Sequence, residues 1–256
     1  MLSPTCSQTL TSLPHINLSV DRTLDKVYDP HMNKVSRNPV CWYTSDLHFG
    51  HTNILKYAPQ RFDYLGIAHD RPVGEMSDEE LRSLVTEMNE GLVRLWNRQV
   101  TADDTVWVIG DMCMGKVNET IQYVGRLNGT KILVWGNHDR PHPGATKNRD
   151  KRAEWERVYG EVFDRQILDT DHEIDGIYVK INHFPFDGLD HTSEERYNSD
   201  MIAQYSPCDT GVPLVHGHVH DLYQTRDHMY NVGIDAWAGE FRTEKHIGDY
   251  FRSIGF

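Results

Sequence analysis

Asp46, His48, Asp111, Asn137, His138, His183, His218 and His220 are the residues of this chain whose types and spacing could do chemistry. Carboxylate, amide oxygen and imidazole together make the donor set of a divalent transition-metal ion, whereas thiolate-rich sets select other sites. They fall in short polar clusters: Asp46-Leu47-His48, Gly110-Asp111, Gly136-Asn137-His138-Asp139 and Gly217-His218-Val219-His220, with His183 standing between the last two. If the chain is extended there, Asp46 and His48 point the same way, and so do His218 and His220. Each such pair could hold one ion or reach across two. Asp111 stands alone and has two carboxylate oxygens, which suits a bridge.

What must position these clusters is visible just before each of them. Val40-Cys41-Trp42-Tyr43-Thr44, Thr105-Val106-Trp107-Val108-Ile109, Lys131-Ile132-Leu133-Val134-Trp135 and Pro213-Leu214-Val215 are apolar runs of strand length. Strand ends in an α/β sheet converge on one edge, and ligands bind in the crevice there. Ser77 with Glu80 has capping-box spacing, and Leu81, Leu84, Val85, Met88, Leu92, Leu95 and Trp96 form one stripe, so a helix over 77–97 is expected to lie on the sheet. A helix near 118–127 separates the second and third runs and predicts a β-α-β unit with a right-handed crossover. Ile174-Asp175-Gly176-Ile177 reads as a hairpin turn whose second strand delivers His183. The polar stretch Asp187 to Asp209 interrupts the strand series, with a helix expected after Ser193; it is either a lid over the site or a surface excursion. Tyr230 to Ile234 reads as a further strand.

Residues 1–39, rich in Ser, Thr, Pro and Asn, read as an extension, and 40–256 as one domain. A formal net charge of −12 disfavours sequence-independent binding along a nucleic-acid backbone. Two divalent ions would add about four positive charges where an anionic substrate lands, so an acidic chain can still hold a phosphate-attracting pocket. Cys6, Cys41, Cys113 and Cys208 are scattered, which predicts free thiols and a cytoplasmic location. No apolar run reaches membrane-spanning length and no secretory signal pattern opens the chain, so no membrane partner is expected.

Taken in order, D-x-H, GD, GNHD, a lone His and GHxH resembles the calcineurin-like metallophosphoesterase superfamily. The string Ser45-Asp46-Leu47-His48-Phe49-Gly50-His51-Thr52-Asn53-Ile54, with Asn182-His183-Phe184-Pro185 and Asn231-Val232-Gly233, is similar to a small bacterial and phage branch of it. The resemblance runs from about Tyr43 to Asp235. It implies a four-layer α/β/β/α sandwich with two mixed β-sheets and the metal site at the strand ends. It also implies one divalent ion on Asp46, His48 and His220, a second on Asn137, His183 and His218, and Asp111 bridging them. Mn²⁺ comes first among the ions such a set would take, ahead of Fe, Zn²⁺ or Ni²⁺. A hydroxide bridging the ions would attack phosphorus in line, and His138 would protonate the leaving oxygen. Some phosphatases of the superfamily place a second aspartate three positions after the bridging one to orient that histidine; here the position is Met114.

The expected substrate is a small phosphodiester, a nucleotide or cyclic nucleotide, with a phosphomonoester of a nucleotide or nucleic-acid end as the alternative. A binding protein on the same fold should lack ligands, and all are present here. The metallo-β-lactamase pattern HxHxDH sits early in its chains, whereas His216 to Asp221 comes late and in another order. His51, Arg61 and Arg140 lie beside the clusters and are the candidates for contact with substrate. Asp139 reads as a helix cap or loop anchor, His216 as support for the ligand loop, Cys113 as a packing residue, and His142, His172, His191 and His228 as surface residues. Oligomeric state has no signature in the sequence.

Overall fold

In a computed structural model, residues 37–68, 72–188 and 199–256 are described. The expected extension at 1–39 lies almost wholly outside them. The apolar runs form parallel strands β1 (Cys41–Thr44), β2 (Thr105–Ile109) and β3 (Thr130–Val134), joined on one side by β4 (Arg165–Ile167). A second sheet holds β5 (Thr170–Ile174), β6 (Ile177–Ile181), β7 (Leu214–His216), β8 (Thr225–Arg226) and β9 (Met229–Asn231), while β10 (Arg242–Thr243) returns antiparallel to β1. Strand order is β10-β1-β2-β3-β4 in one sheet and β5-β6-β7-β9-β8 in the other. Both sheets are mixed: the edge pairs β5–β6 and β8–β9 are antiparallel, and β6, β7 and β9 run parallel.

Alternation along the strands sets the layers. In β2, Val106 and Val108 face a core shared with helices, whereas Trp107 and Ile109 face the second sheet. Helices α1 (Ile54–Tyr57), α2 (Arg61–Leu65), α3 (Asp78–Gln99), α4 (Val117–Val124) and α5 (Arg149–Gly160) follow β1, β2 and β3 in the chain. From them Ile54, Leu55, Phe62, Leu81, Met88, Leu92, Trp96, Val117, Val124 and Tyr159 fill the first core. Between the sheets Val134, Val179, Ile181, Val215 and Tyr230 meet Ile247 and Phe251 of α7 (Glu244–Ser253). Among the described residues, Leu214 and Met229 of the second sheet form a separate small cluster with Phe186, and α6 (Ser199–Tyr205) follows in the chain. The described residues thus form an α/β sandwich of two five-stranded sheets.

Helix α3 begins at the expected cap: Ser77 accepts from the Glu80 N–H, and the Glu80 carboxylate accepts from the Ser77 N–H at 2.8 Å. The hairpin turn has φ of 50° at Asp175 and 81° at Gly176, as a two-residue turn of this hand requires. The helix expected after Ser193 is α6; residues 189–198, Ser193 included, lie outside the described residues. No helix among the described residues is long and apolar enough to cross a membrane.

Two expectations need correction. The segments Asp46–His48 and His218–His220 are not extended, for φ is 60° at Asp46, 54° at His48, 73° at His218 and 48° at His220. Each pair is made instead by two left-handed residues flanking one intervening residue. His142 is not on the surface: it is fully buried, with its ring edge-on to Tyr205 at 4.6 Å and to Phe184 at 6.1 Å.

Candidate metal centre

The parallel strands of both sheets end on one rim, and backbone pairing continues past the strand ends to join them. Asp46 N–H donates to the Gly110 carbonyl and His48 N–H to the Asp111 carbonyl, each at 3.0 Å. Ser45 pairs with Gly233 across the two sheets, and Gly217 N–H reaches the His183 carbonyl at 3.1 Å. Asp46, His48, Asp111, His218 and His220 all take positive φ, a conformation non-glycine residues adopt at a cost of roughly 1–3 kcal/mol each. Strain of that kind gathers where side chains must be aimed at a ligand.

The glycines that open three of the clusters clear the space. A Cβ on Gly136 would overlap Asp111 Oδ1 and stand 2.5 Å from the Asp111 nitrogen. One on Gly217 would stand 2.7 Å from Asp46 Oδ2, and one on Gly110, where φ is +92°, would overlap the His183 ring.

All seven predicted donors converge here. Ligand atoms of Asp46, His48 and His220 lie within 4.8 Å of one another, and so do those of Asp46, Asp111 and His183. Asp46 therefore stands in both groups, where the family resemblance assigns it to one. Asp111, a member of the second group, also approaches the first: its Oδ2 is 3.8 Å from His48 Nε2 and 3.4 Å from His183 Nε2. Asn137 Oδ1 is 3.0 Å from His183 Nε2, and the His218 ring stands edge-on to that of His183 at 5.1 Å.

Hydrogen bonds fix which nitrogen faces inward. His183 Nδ1 donates to the Ile109 carbonyl at 2.8 Å, which leaves Nε2 facing Asn137 Oδ1 and Asp111 Oδ2. That corner is a convergence of acceptors, completed by a positive charge. Burial alone would push His183 down, yet Asp111 and Asp46 raise it to about 9; a proton and a metal ion answer the same field. Among the described residues neither buried ring nitrogen of His48 has a hydrogen-bond partner, and burial holds it well below its usual value, a neutral imidazole with a lone pair to offer. Burial also works against the Asp111 carboxylate, but His183 and His138 hold it well below the usual range. This donor set fits divalent cations.

Behind the donors stands a second tier. His220 Nδ1 donates to Asp235 Oδ2 at 2.9 Å, so its Nε2 is the atom left for a cation. Asp235 also accepts from Tyr64 Oη at 2.8 Å and from Arg61 Nε at 2.9 Å and Nη2 at 2.8 Å. Burial opposes the Asp235 charge, but Arg61 holds its carboxyl well below the usual range. Arg61 further donates to the carbonyls of Leu47 (2.8 Å) and Asp46 (2.7 Å) and has no solvent exposure. The expectation that Arg61 touches substrate is thereby overturned: its guanidinium braces the Asp46 turn and Asp235 from within. Asp139 is a loop anchor, accepting from the N–H groups of Asp111 and Gly136 at 2.9 Å and of Met112 at 3.1 Å. Burial and the Asp111 charge push Asp139 up to about 7 against those donors.

His138 and His51 lie beside His48 and are partly exposed. The His138 N–H donates to Asp111 Oδ1 at 2.8 Å, and its partly exposed ring stands edge-on to His48 at 5.5 Å. His51, half-buried, is edge-on to His48 at 5.4 Å; burial, then His138 and Arg61, push it down to about 4. Arg140 is exposed next to the Asp139 anchor. His216 is buried and bonded through Nδ1 to the Gly217 carbonyl at 2.8 Å, and Cys113 is buried in the first core. Asp235 was missed from the sequence. Its only signal there is an acidic residue shortly after a strand that ends on the same rim.

No protein-family model matches the chain. It is 34% identical over 208 residues to the Gene 66 protein of Mycobacterium phage D29, spanning 77% of this chain and 88% of the relative. The Gene 66 protein of Mycobacterium phage L5 is 34% identical over 213 residues, spanning 77% and 87%. Among solved structures, the protein of unknown function AQ665 from Aquifex aeolicus superposes with a TM-score of 0.51 at 22% identity, covering 83% of this chain and 100% of that one. That likeness concerns the fold alone.

Proposed function

The chain belongs to the family of the mycobacteriophage Gene 66 proteins, and from the donor rim it carries we propose that it is a metal-dependent phosphoesterase acting on a small phosphodiester. The observation that carries the reading is the pair of donor groups sharing Asp46, with Asp111 Oδ2 between His48 and His183. One ion would be held by Asp46, His48 and His220, and a second by Asn137, His183 and His218, with Asp111 between them. Divalent cations bound there supply Lewis acidity toward phosphoryl oxygens and acidify a water molecule. Mn²⁺ is the ion the family resemblance puts first, with Fe, Zn²⁺ and Ni²⁺ also suited to a set of carboxylates, an amide oxygen and imidazoles.

The chain's own residues supply orientation and protons. Asp235 and Ile109 fix the tautomers of His220 and His183 before substrate arrives. His138, partly exposed and tethered to Asp111 through its backbone, would give a proton to the departing oxygen. Arg140, exposed beside Asp139, and His51, beside His48, would offer charge and a hydrogen-bonding ring to the phosphate. Cations gathered at one point also reconcile an anionic substrate with a chain of net charge −12.

The test is a panel of aryl phosphodiesters and monoesters offered to Mn²⁺-loaded protein, with bound metal counted by elemental analysis. We expect about two ions per chain and faster turnover of the diester. Absence of turnover by loaded protein sinks the enzymatic reading, and faster monoester turnover sinks the diester preference. His138→Ala should keep both ions and slow poor leaving groups more than good ones, by ~10²-fold or more. Equal slowing across leaving groups would remove the proton-donor role.

A further inference from the structure

Tyr57 ends α1 and leaves 57% of its surface exposed, although a tyrosine ring gains most when one face is covered. Its ring centre lies 6.4 Å from that of His51, and His51 lies 5.4 Å from His48. The exposed ring is therefore connected to the donor rim through a single intervening ring, that of His51. Gln60, three residues on, ties a second loop to this edge: its Nε2 donates to Asp221 Oδ2 at 3.0 Å, and Leu222, the next residue of that loop, is 55% exposed. An uncovered aromatic face beside a phosphate site, with a sugar's length between them, matches a nucleotide, whose base and phosphate are separated by the ribose. Stacking on an aromatic ring suits any base, since each has a π-face.

We propose that Tyr57 is a specificity-determining residue that stacks against the base of a nucleotide whose phosphate lies at the donor rim. The inference rests on the phosphoester reading and names the substrate class within it. Acting through stacking, Tyr57 discriminates nucleotides from small alkyl phosphates and leaves the reacting atoms to the rim.

The test measures binding by titration calorimetry to the Mn²⁺-loaded full chain, with adenosine 5′-monophosphate and inorganic phosphate as probes. Wild type should bind the nucleotide more tightly than phosphate. Tyr57→Ala should weaken the nucleotide about tenfold and leave phosphate unchanged, whereas Tyr57→Phe should keep the wild-type difference. Thermal melts confirm that both variants fold, as expected for a position this exposed. Equal binding of the two probes by wild type, or an unchanged nucleotide affinity in Tyr57→Ala, overturns the inference and leaves the phosphoesterase standing. Equal weakening of both probes assigns Tyr57 a structural role and overturns it too. If neither probe binds loaded protein and the aryl esters are not turned over, both readings fall together.

Discussion

At the scale of single residues, the donors were legible in the sequence because their chemistry is carried by residue type: aspartate, asparagine and histidine after strands have few other reasons to recur in this order. Arg61 was not legible, because what decides its role is burial. Its partner Asp235 lies far along the chain, and nothing local to either residue announces that they meet. The distinction can be measured. Arg61→Ala should leave the Asp235 carboxylate buried without its counter-charge and lower stability by ~3–5 kcal/mol in a urea titration, with metal occupancy falling as His220 loses its fixed orientation. A variant of wild-type stability with only a raised KM would restore Arg61 to the substrate. His142 reads as a surface residue for the same reason: a polar residue in a polar loop, it is buried by Tyr205 and Phe184, which come much later in the chain.

At the scale of elements, the central strands and the capped helix were readable because each announces itself locally. β2 is apolar on every residue after the first, since both of its faces are covered, and α3 carries its own capping box. The short edge strands were not readable. Arg165-Gln166-Ile167, Thr225-Arg226 and Arg242-Thr243 have no alternation long enough to detect, and they are strands only because a neighbour pairs with them. The rim turns were misread as extended because sequence spacing alone does not distinguish two left-handed residues from a strand. The rim glycines report the difference. Gly136→Ala needs no unusual φ, so it tests space alone: its Cβ would displace Asp111 at both Oδ1 and the backbone nitrogen. Overpacking of this kind costs about 1–3 kcal/mol, and here the Asp111 carboxylate must move. The expected result is a folded protein whose bound metal, counted by elemental analysis, drops below wild type. Full occupancy with wild-type stability would show that the rim is looser than these contacts imply.

At the scale of the whole molecule, the two sheets share a single rim, and the donors are divided between them. Asp46, His48, Asp111 and Asn137 follow strands of the first sheet, whereas His183, His218 and His220 follow strands of the second. An ion held by both sets ties the sheets together, and since the unfolded chain cannot assemble such a site, metal binding adds to folding stability. At a free ion concentration a hundred times the dissociation constant the gain is ~2.7 kcal/mol, or roughly 5–10 °C in melting temperature for a domain of this size. Treatment with a chelator should therefore lower the Tm by that order, and Mn²⁺ should restore it. Asp111→Asn should melt like the chelated wild type and respond weakly to added Mn²⁺, because the carboxylate between the two groups is lost. A wild-type Tm indifferent to both chelator and Mn²⁺ would mean that the convergence of the two sheets serves something other than metal. The measurement requires no substrate, so it judges the site independently of the reaction assigned to it.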